Sequence, residues 1–155
     1  MTIVTIVTVE DPRQSAVENM LRAGDSYALS LYPAESCYML SADELMHPDV
    51  TVFVARDAAA RALGMAALVS RGDFTGELKR LFVDENVRGQ KVATVIMDAL
   101  EAAARAQGIH TLQLETGPKQ HAAIALYERR GYARIPNFGP YIGDEFSLCM
   151  QRELP

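Results

Sequence analysis

Cysteine is scarce in this 155-residue chain: Cys37 and Cys149 stand far apart, outside any CxxC pair and any histidine-rich context. That pattern argues against a disulfide scaffold and a structural zinc site, and leaves two reduced packing thiols. His47, His110 and His121 have no metal-ligand spacing, so no metal is expected. His121, at a helix start, is the histidine placed to touch a ligand. Basic residues are in deficit, with 15 Lys plus Arg against 20 Asp plus Glu, a net charge of -5 and a pI near 5.2. This disfavours sequence-independent binding to nucleic acid and requires positive charge to act locally. Apolar runs are short and broken by charge, so no membrane span is expected. The start, Met1 to Val7, lacks the basic region and small-residue cleavage site of a secretory signal, and a cytoplasmic location is expected. No internal repeat or low-complexity tract occurs. The first strand is not followed by GxGxxG, which argues against a dinucleotide-binding fold.

What remains suits one domain, residues 1–155, about half hydrophobic and long enough to bury a core. Thr2 to Glu10 alternates like a half-buried strand. Helical spacing runs from Arg13 to Leu31, with Gly24-Asp25 expected to kink or split it and Tyr32-Pro33 to end it. Pro33 to Leu40 reads as irregular, and Ser41 to Glu44 as a capping box opening a short helix before Pro48. Thr51–Ala55 and Leu63–Val69 form a hairpin around Asp57 to Arg61, followed by a strand from Glu77 to Val83. A helix from Lys91 to Gln107 carries Val92, Val95, Ile96, Ala99 and Leu100 on one face and stops at Gly108. Strand Thr111–Glu115, helix Gln120–Arg130 and a hairpin of Tyr132–Ile135 with Phe146–Met150 complete the order.

The most telling stretch is the strand Glu77-Leu78-Lys79-Arg80-Leu81-Phe82-Val83 leading into Val87-Arg88-Gly89-Gln90-Lys91-Val92-Ala93. N–H groups in a helix's first turn lack partners within the helix, and its dipole places roughly half a positive charge there, so this turn suits a phosphate. Simple alternation puts Glu77, Lys79, Leu81 and Val83 on one face of the strand and Leu78, Arg80 and Phe82 on the other.

With that turn, Leu114-Glu115-Thr116-Gly117 and Ala122 through Gly131-Tyr132, the chain resembles the GNAT superfamily of N-acetyltransferases from about Val50 onward. The resemblance implies an α/β fold: a mixed, mostly antiparallel central sheet with a splayed parallel strand pair, flanked by helices. It implies acetyl-CoA as co-substrate. Leu81, Phe82 and Val83 would hold the pantetheine and Arg88, Gly89, Gln90, Lys91, Val92 and Ala93 the pyrophosphate. Gln120 stands where relatives carry an asparagine that binds the pantetheine or sulfur region. Arg88 and Ala93 match the ends of the family's turn pattern, whereas Lys91 replaces its middle glycine. A lysine there is expected to keep ordinary helical torsions and to add a point charge.

Tyr127, in its Leu-Tyr-x-x-x-Gly-Tyr context, inherits the role of proton donor to the leaving thiolate. Glu77 has the spacing of the catalytic glutamate in histone-type members and is the expected base, with Glu115 the competing carboxylate and a salt bridge on the sheet the plainer reading of Glu77. The implied reaction is direct attack by a primary amine of a small molecule or peptide in a ternary complex; a non-catalytic coenzyme-A-binding module is the rival. Tyr32, Tyr38 and Tyr141 are candidates for an aromatic acceptor wall and Glu35 for holding a cation, while all four also suit ordinary loops. A second copy of the chain is a candidate partner.

Overall fold

The computed structural model describes residues 4–155. Its strands are β1 (Ile6–Val9), β2 (Val50–Arg56), β3 (Ala62–Gly72), β4 (Thr75–Val83), β5 (Thr111–Thr116), β6 (Ala133–Ile135) and β7 (Leu148–Glu153). Its helices are α1 (Ser15–Leu31), α2 (Val92–Ala106) and α3 (His121–Arg129). Residues 2–3 of the expected first strand lie outside the described residues.

The strands form one sheet of order β1-β2-β3-β4-β5-β7-β6. Every neighbouring pair is antiparallel except β4 and β5, which run parallel. Period-two alternation divides the apolar residues between two cores. Leu68, Leu78, Leu112 and Leu114 meet Ile96, Met97 and Leu100 of α2 on one face. Val52, Val54, Met65 and Ala67 meet Val17, Met20 and Leu21 of α1 on the other. The Ser41 capping box is formed, with Ser41 N–H donating to Glu44 and Glu44 N–H donating to Ser41 Oγ, and it opens a single tight turn at Glu44–Met46.

Three expectations are corrected. Helix α1 is not split at Gly24-Asp25 but continuous over 17 residues. A mid-helix glycine costs about 1 kcal/mol relative to alanine, and packing offsets it: a Cβ on Gly24 would lie 3.9 Å from the Phe82 ring, while Asp25 pairs with Arg80. Lys91 does not keep helical torsions; it sits in the left-handed region at φ 65°, ψ 21°. The turn into α2 thus retains the backbone shape a glycine would give, carried by a lysine.

The third correction concerns β4. Met65 pairs with Phe82 and Ala67 with Lys79, so β4 contains one extra residue, a β-bulge, with Arg80 at φ 60°. Alternation therefore breaks after Lys79. Arg80 and Phe82 turn to the α1 face, and Leu81 and Val83 join the α2 core. Lys79, paired with Ala67, shares the α1 side rather than the side of Leu81 and Val83.

Candidate active site

The bulge opens the sheet. Strands β4 and β5 pair only through Thr75–Leu78 with Thr111–Leu114, and the rest of β4 diverges. A cavity of about 650 Å³ occupies the gap, lined on one side by Lys79 through Val83 and on the other by Glu115, Thr116, Gln120 and Tyr127. Of the residues expected from sequence, Leu81, Phe82, Val83, Arg88, Gly89, Lys91, Val92, Ala93, Gln120 and Tyr127 line this cavity; Glu77 and Gln90 do not.

At its mouth the turn before α2 presents donors. Among the described residues, the N–H groups of Gly89, Lys91, Val92, Ala93 and Thr94 make no hydrogen bond within the protein; the first helical bond is Val95 N–H to Lys91 O at 3.2 Å. Arg88 lies over the Tyr27 ring at 5.9 Å, held beside the same mouth. Unpaired donors, a helix N-terminus and two cationic side chains fit a pyrophosphate. The diverging edge of β4 leaves strand backbone free to bond the pantetheine amides as an added strand would. The residues present thus fit coenzyme A.

Deeper in, Tyr127 is buried, and burial, helped by the charge of Glu115, pushes its phenol pKa up, keeping it protonated. Gln120, on the cavity wall, accepts a bond from Thr116 Oγ1 at 3.1 Å. Gly117 closes the wall: a Cβ there would fall 1.9 Å from the Tyr32 hydroxyl, so only glycine permits this approach. That hydroxyl accepts from Lys119 N–H at 3.0 Å.

Glu77 belongs to a network beside the cavity. It is 3% exposed, accepts from Arg71 Nη2 at 2.8 Å and Nε at 3.1 Å, and accepts from Tyr141 O–H at 2.6 Å. Tyr141 in turn accepts from Lys79 Nζ at 2.7 Å. Burial, then the charge and hydrogen bond of Glu77, raise the Tyr141 pKa. Burial lowers that of Lys79 against the opposing pull of Glu77 and Glu115. Glu115 lines the cavity and accepts from Ser147 Oγ at 2.8 Å through one oxygen. Burial raises its pKa, and the Ser147 bond opposes this.

Tyr38 packs edge-on to Tyr141 at 4.8 Å, and its hydroxyl donates to Asp144 at 2.7 Å. That bond, with burial, pushes its pKa up to about 12. Sequence reasoning missed Arg71 as the partner of Glu77 and the Lys79–Tyr141 bond. It also missed the bulge, although the run Leu78-Lys79-Arg80-Leu81 places two polar residues where alternation allows one.

The sequence profile of the Acetyltransferase (GNAT) family matches residues 16–132. The chain is 39% identical over 146 residues to an IAA acetyltransferase of Azospirillum brasilense, covering 94% of this chain and 95% of that one. The crystal structure of a protein assigned as an acyl-CoA N-acyltransferase from Klebsiella pneumoniae superposes with a TM-score of 0.84 at 34% identity, covering 98% and 99% of the two chains. The PaiA N-acetyltransferase of Thermoplasma acidophilum, solved with coenzyme A, has a TM-score of 0.79 over 97% and 99% at 14% identity, a likeness of fold alone. The profile spans the bulged strand, the phosphate-ready turn and the tyrosine helix together, and this chain belongs to the GNAT family, enzymes that transfer an acyl group from acetyl-CoA.

Proposed function

We propose that the 155 residues act as one cytoplasmic N-acetyltransferase domain whose acceptor is a primary amine, attacking the thioester directly. The observation that carries this reading is Glu115: a half-buried carboxylate on the cavity wall, tethered by Ser147 through one oxygen and with no protein donor to the other among the described residues. A carboxylate whose pKa is raised by burial is a better match for taking a proton from an ammonium near neutral pH than an ordinary surface acid. Among the described residues, no helix is long and apolar enough to cross a membrane.

Glu115 takes the proton that leaves the ammonium, and the free amine is then positioned for attack. Acetyl-CoA supplies the thioester: the new N–C bond forms as the C–S bond breaks. The backbone N–H near Val83 polarises the carbonyl oxygen. Tyr127, protonated because it is buried, gives its proton to the departing sulfur, and the second proton shed by the nitrogen restores the phenol. Leu81, Phe82 and Val83 hold the pantetheine, Gln120 its sulfur end, and the turn Arg88 to Ala93, Gln90 included, the pyrophosphate. Glu77, fully engaged by Arg71 and Tyr141, fixes the cavity wall rather than meeting the amine. No nucleophilic cysteine is used, and proximity supplies much of the acceleration.

The test is a panel of primary amines assayed for release of free thiol from acetyl-CoA. Amine-dependent thiol release with N-acetyl product supports the reading. Coenzyme A binding with no amine acetylated would overturn it.

A further inference from the structure

Resting on that reading, the geometry points to an acceptor class: we infer that the amine acetylated here also carries a carboxylate close to its nitrogen, as an apolar α-amino acid does, with its carboxylate held by Lys79 and its ammonium by Glu115.

The argument begins with charge. Beside the cavity, Arg71 and Lys79 supply two cations, and Glu77 is the single anion between them. Arg71 engages Glu77 Oε1 through two nitrogens, and Tyr141 takes Oε2 at 2.6 Å. Lys79 Nζ stands 3.8 Å from that carboxylate, beyond hydrogen-bond reach. Its one short bond is to the Tyr141 hydroxyl. An ammonium has three protons to donate, so two on Lys79 lack an acceptor among the described residues, although its side chain is only 9% exposed. Nine-tenths burial of a cation whose donors are left over is costly unless a partner arrives.

Across the same cavity lies the opposite case. Glu115 accepts one bond from Ser147, and its second oxygen has no protein donor among the described residues. Lys79 and Glu115 line one cavity yet form no ion pair with each other. Two opposite charges that feel one another across the cavity without touching, each with hydrogen-bonding capacity left over, suit a zwitterion that spans them. The wall on the α1 side is apolar, with Met20, Met65 and Phe82 facing the cavity, and fits a hydrophobic side chain. A plain amine would answer Glu115 and leave two Lys79 donors without an acceptor; a plain acid would answer Lys79 and leave the second Glu115 oxygen without a donor. Hydrogen bonds across such a site discriminate strongly because an analogue lacking the group strands a buried charge.

The experiment compares matched acceptors: L-phenylalanine with phenethylamine, and L-leucine with isoamylamine, each assayed for N-acetyl product and thiol release, with coenzyme A binding measured separately. The expected result is a kcat/KM roughly 10- to 100-fold higher for each amino acid than for its decarboxylated partner, the size of one hydrogen bond between charged groups. In Lys79→Met the same ratio should fall toward one. Equal or better turnover of the decarboxylated amines by the unaltered enzyme would overturn the inference and leave the amine reading intact. Coenzyme A binding without acetylation of any of the four would overturn both. Because the comparison is made first in the unaltered protein, it does not depend on the variant folding.

Discussion

Arg80 and Asp25 join the bulge of β4 to helix α1: the guanidinium Nη1 donates to the Asp25 carboxylate at 2.6 Å, while Nη2 reaches the Leu21 carbonyl at 3.0 Å. The arginine side chain is 8% exposed, and its backbone is in the left-handed region at φ 60°. One residue thus provides both the strain of the bulge and the anchor that holds it.

Arg80→Ala loses the anchor and keeps the strain, and is expected to destabilise the fold by about 2 kcal/mol, discounted because Asp25 is partly exposed. Arg80→Gly loses both, and should be less unstable than the alanine variant by about 1 kcal/mol. Thermal unfolding of the pair decides the matter. A glycine variant less stable than the alanine variant would contradict the role assigned to the left-handed backbone.

Lys91 has the same backbone problem at the phosphate turn. Lys91→Gly relieves a left-handed side chain and is expected to raise the unfolding midpoint by about 2–4 °C. The salt dependence of coenzyme A binding should weaken in the same variant, since one cation leaves the mouth of the cavity. Isothermal titration at two ionic strengths measures it.

Glu115 and Glu77 separate by pH. Burial raises Glu115 above its usual 4.5, so kcat/KM should rise as pH climbs through that raised value and the base deprotonates. Glu115→Gln should lose this acidic limb and at least about 100-fold in rate. Glu77→Gln retains an acceptor for Tyr141, keeps the limb and costs less. A limb that vanishes with Glu77 instead would return the base to that residue.

Tyr127→Phe keeps the ring in the core and removes only the donor. A loss of kcat of about 100-fold, with coenzyme A affinity changed less than about threefold, is expected for a proton donor to the leaving sulfur. Unchanged turnover would leave Tyr127 a packing residue.

Glu10 answers a question of stability rather than catalysis. Arg56, at 2.7 Å, holds its pKa down from 4.5 to about 2. A carboxyl depressed in the folded state adds stability that is present above its unfolded pKa and lost as pH falls through the folded one. Acid unfolding should therefore weaken the protein between pH 4.5 and about 2, and Glu10→Gln should flatten that slope.

Much of this was legible in the chain, and the reasons are local. The period of β2 and β3, the stop at Gly108 and the capping box at Ser41 are short-range patterns, and each appears where its residues lie. The turn before α2 was readable because Gly89 precedes an amphipathic run of helical period that begins at Val92. Gly24 misled because its compensation, the Phe82 ring and the Arg80 ion pair, comes from a strand more than fifty residues away in sequence. Glu77 was readable as a candidate base or as one end of a salt bridge on the sheet, and the ion pair with Arg71 is formed; the hub itself was not readable, since Arg71 and Tyr141 reach it from a neighbouring strand and a distant loop. Period alone also placed Leu81 and Val83 with Glu77, and a single inserted residue was enough to turn them away.

The short pairing of β4 with β5 leaves two strand edges open inside the molecule, where a sheet normally tolerates none. On the proposed placement, a coenzyme filling the seam would complete hydrogen bonds left open there, acting as a removable strand as well as a reactant. Its concentration would then shift the folding equilibrium: at a hundred times the dissociation constant it adds about 2.7 kcal/mol to stability. Coenzyme A would then steady the fold as well as feed its reaction, and the unfolding midpoint should rise with its concentration.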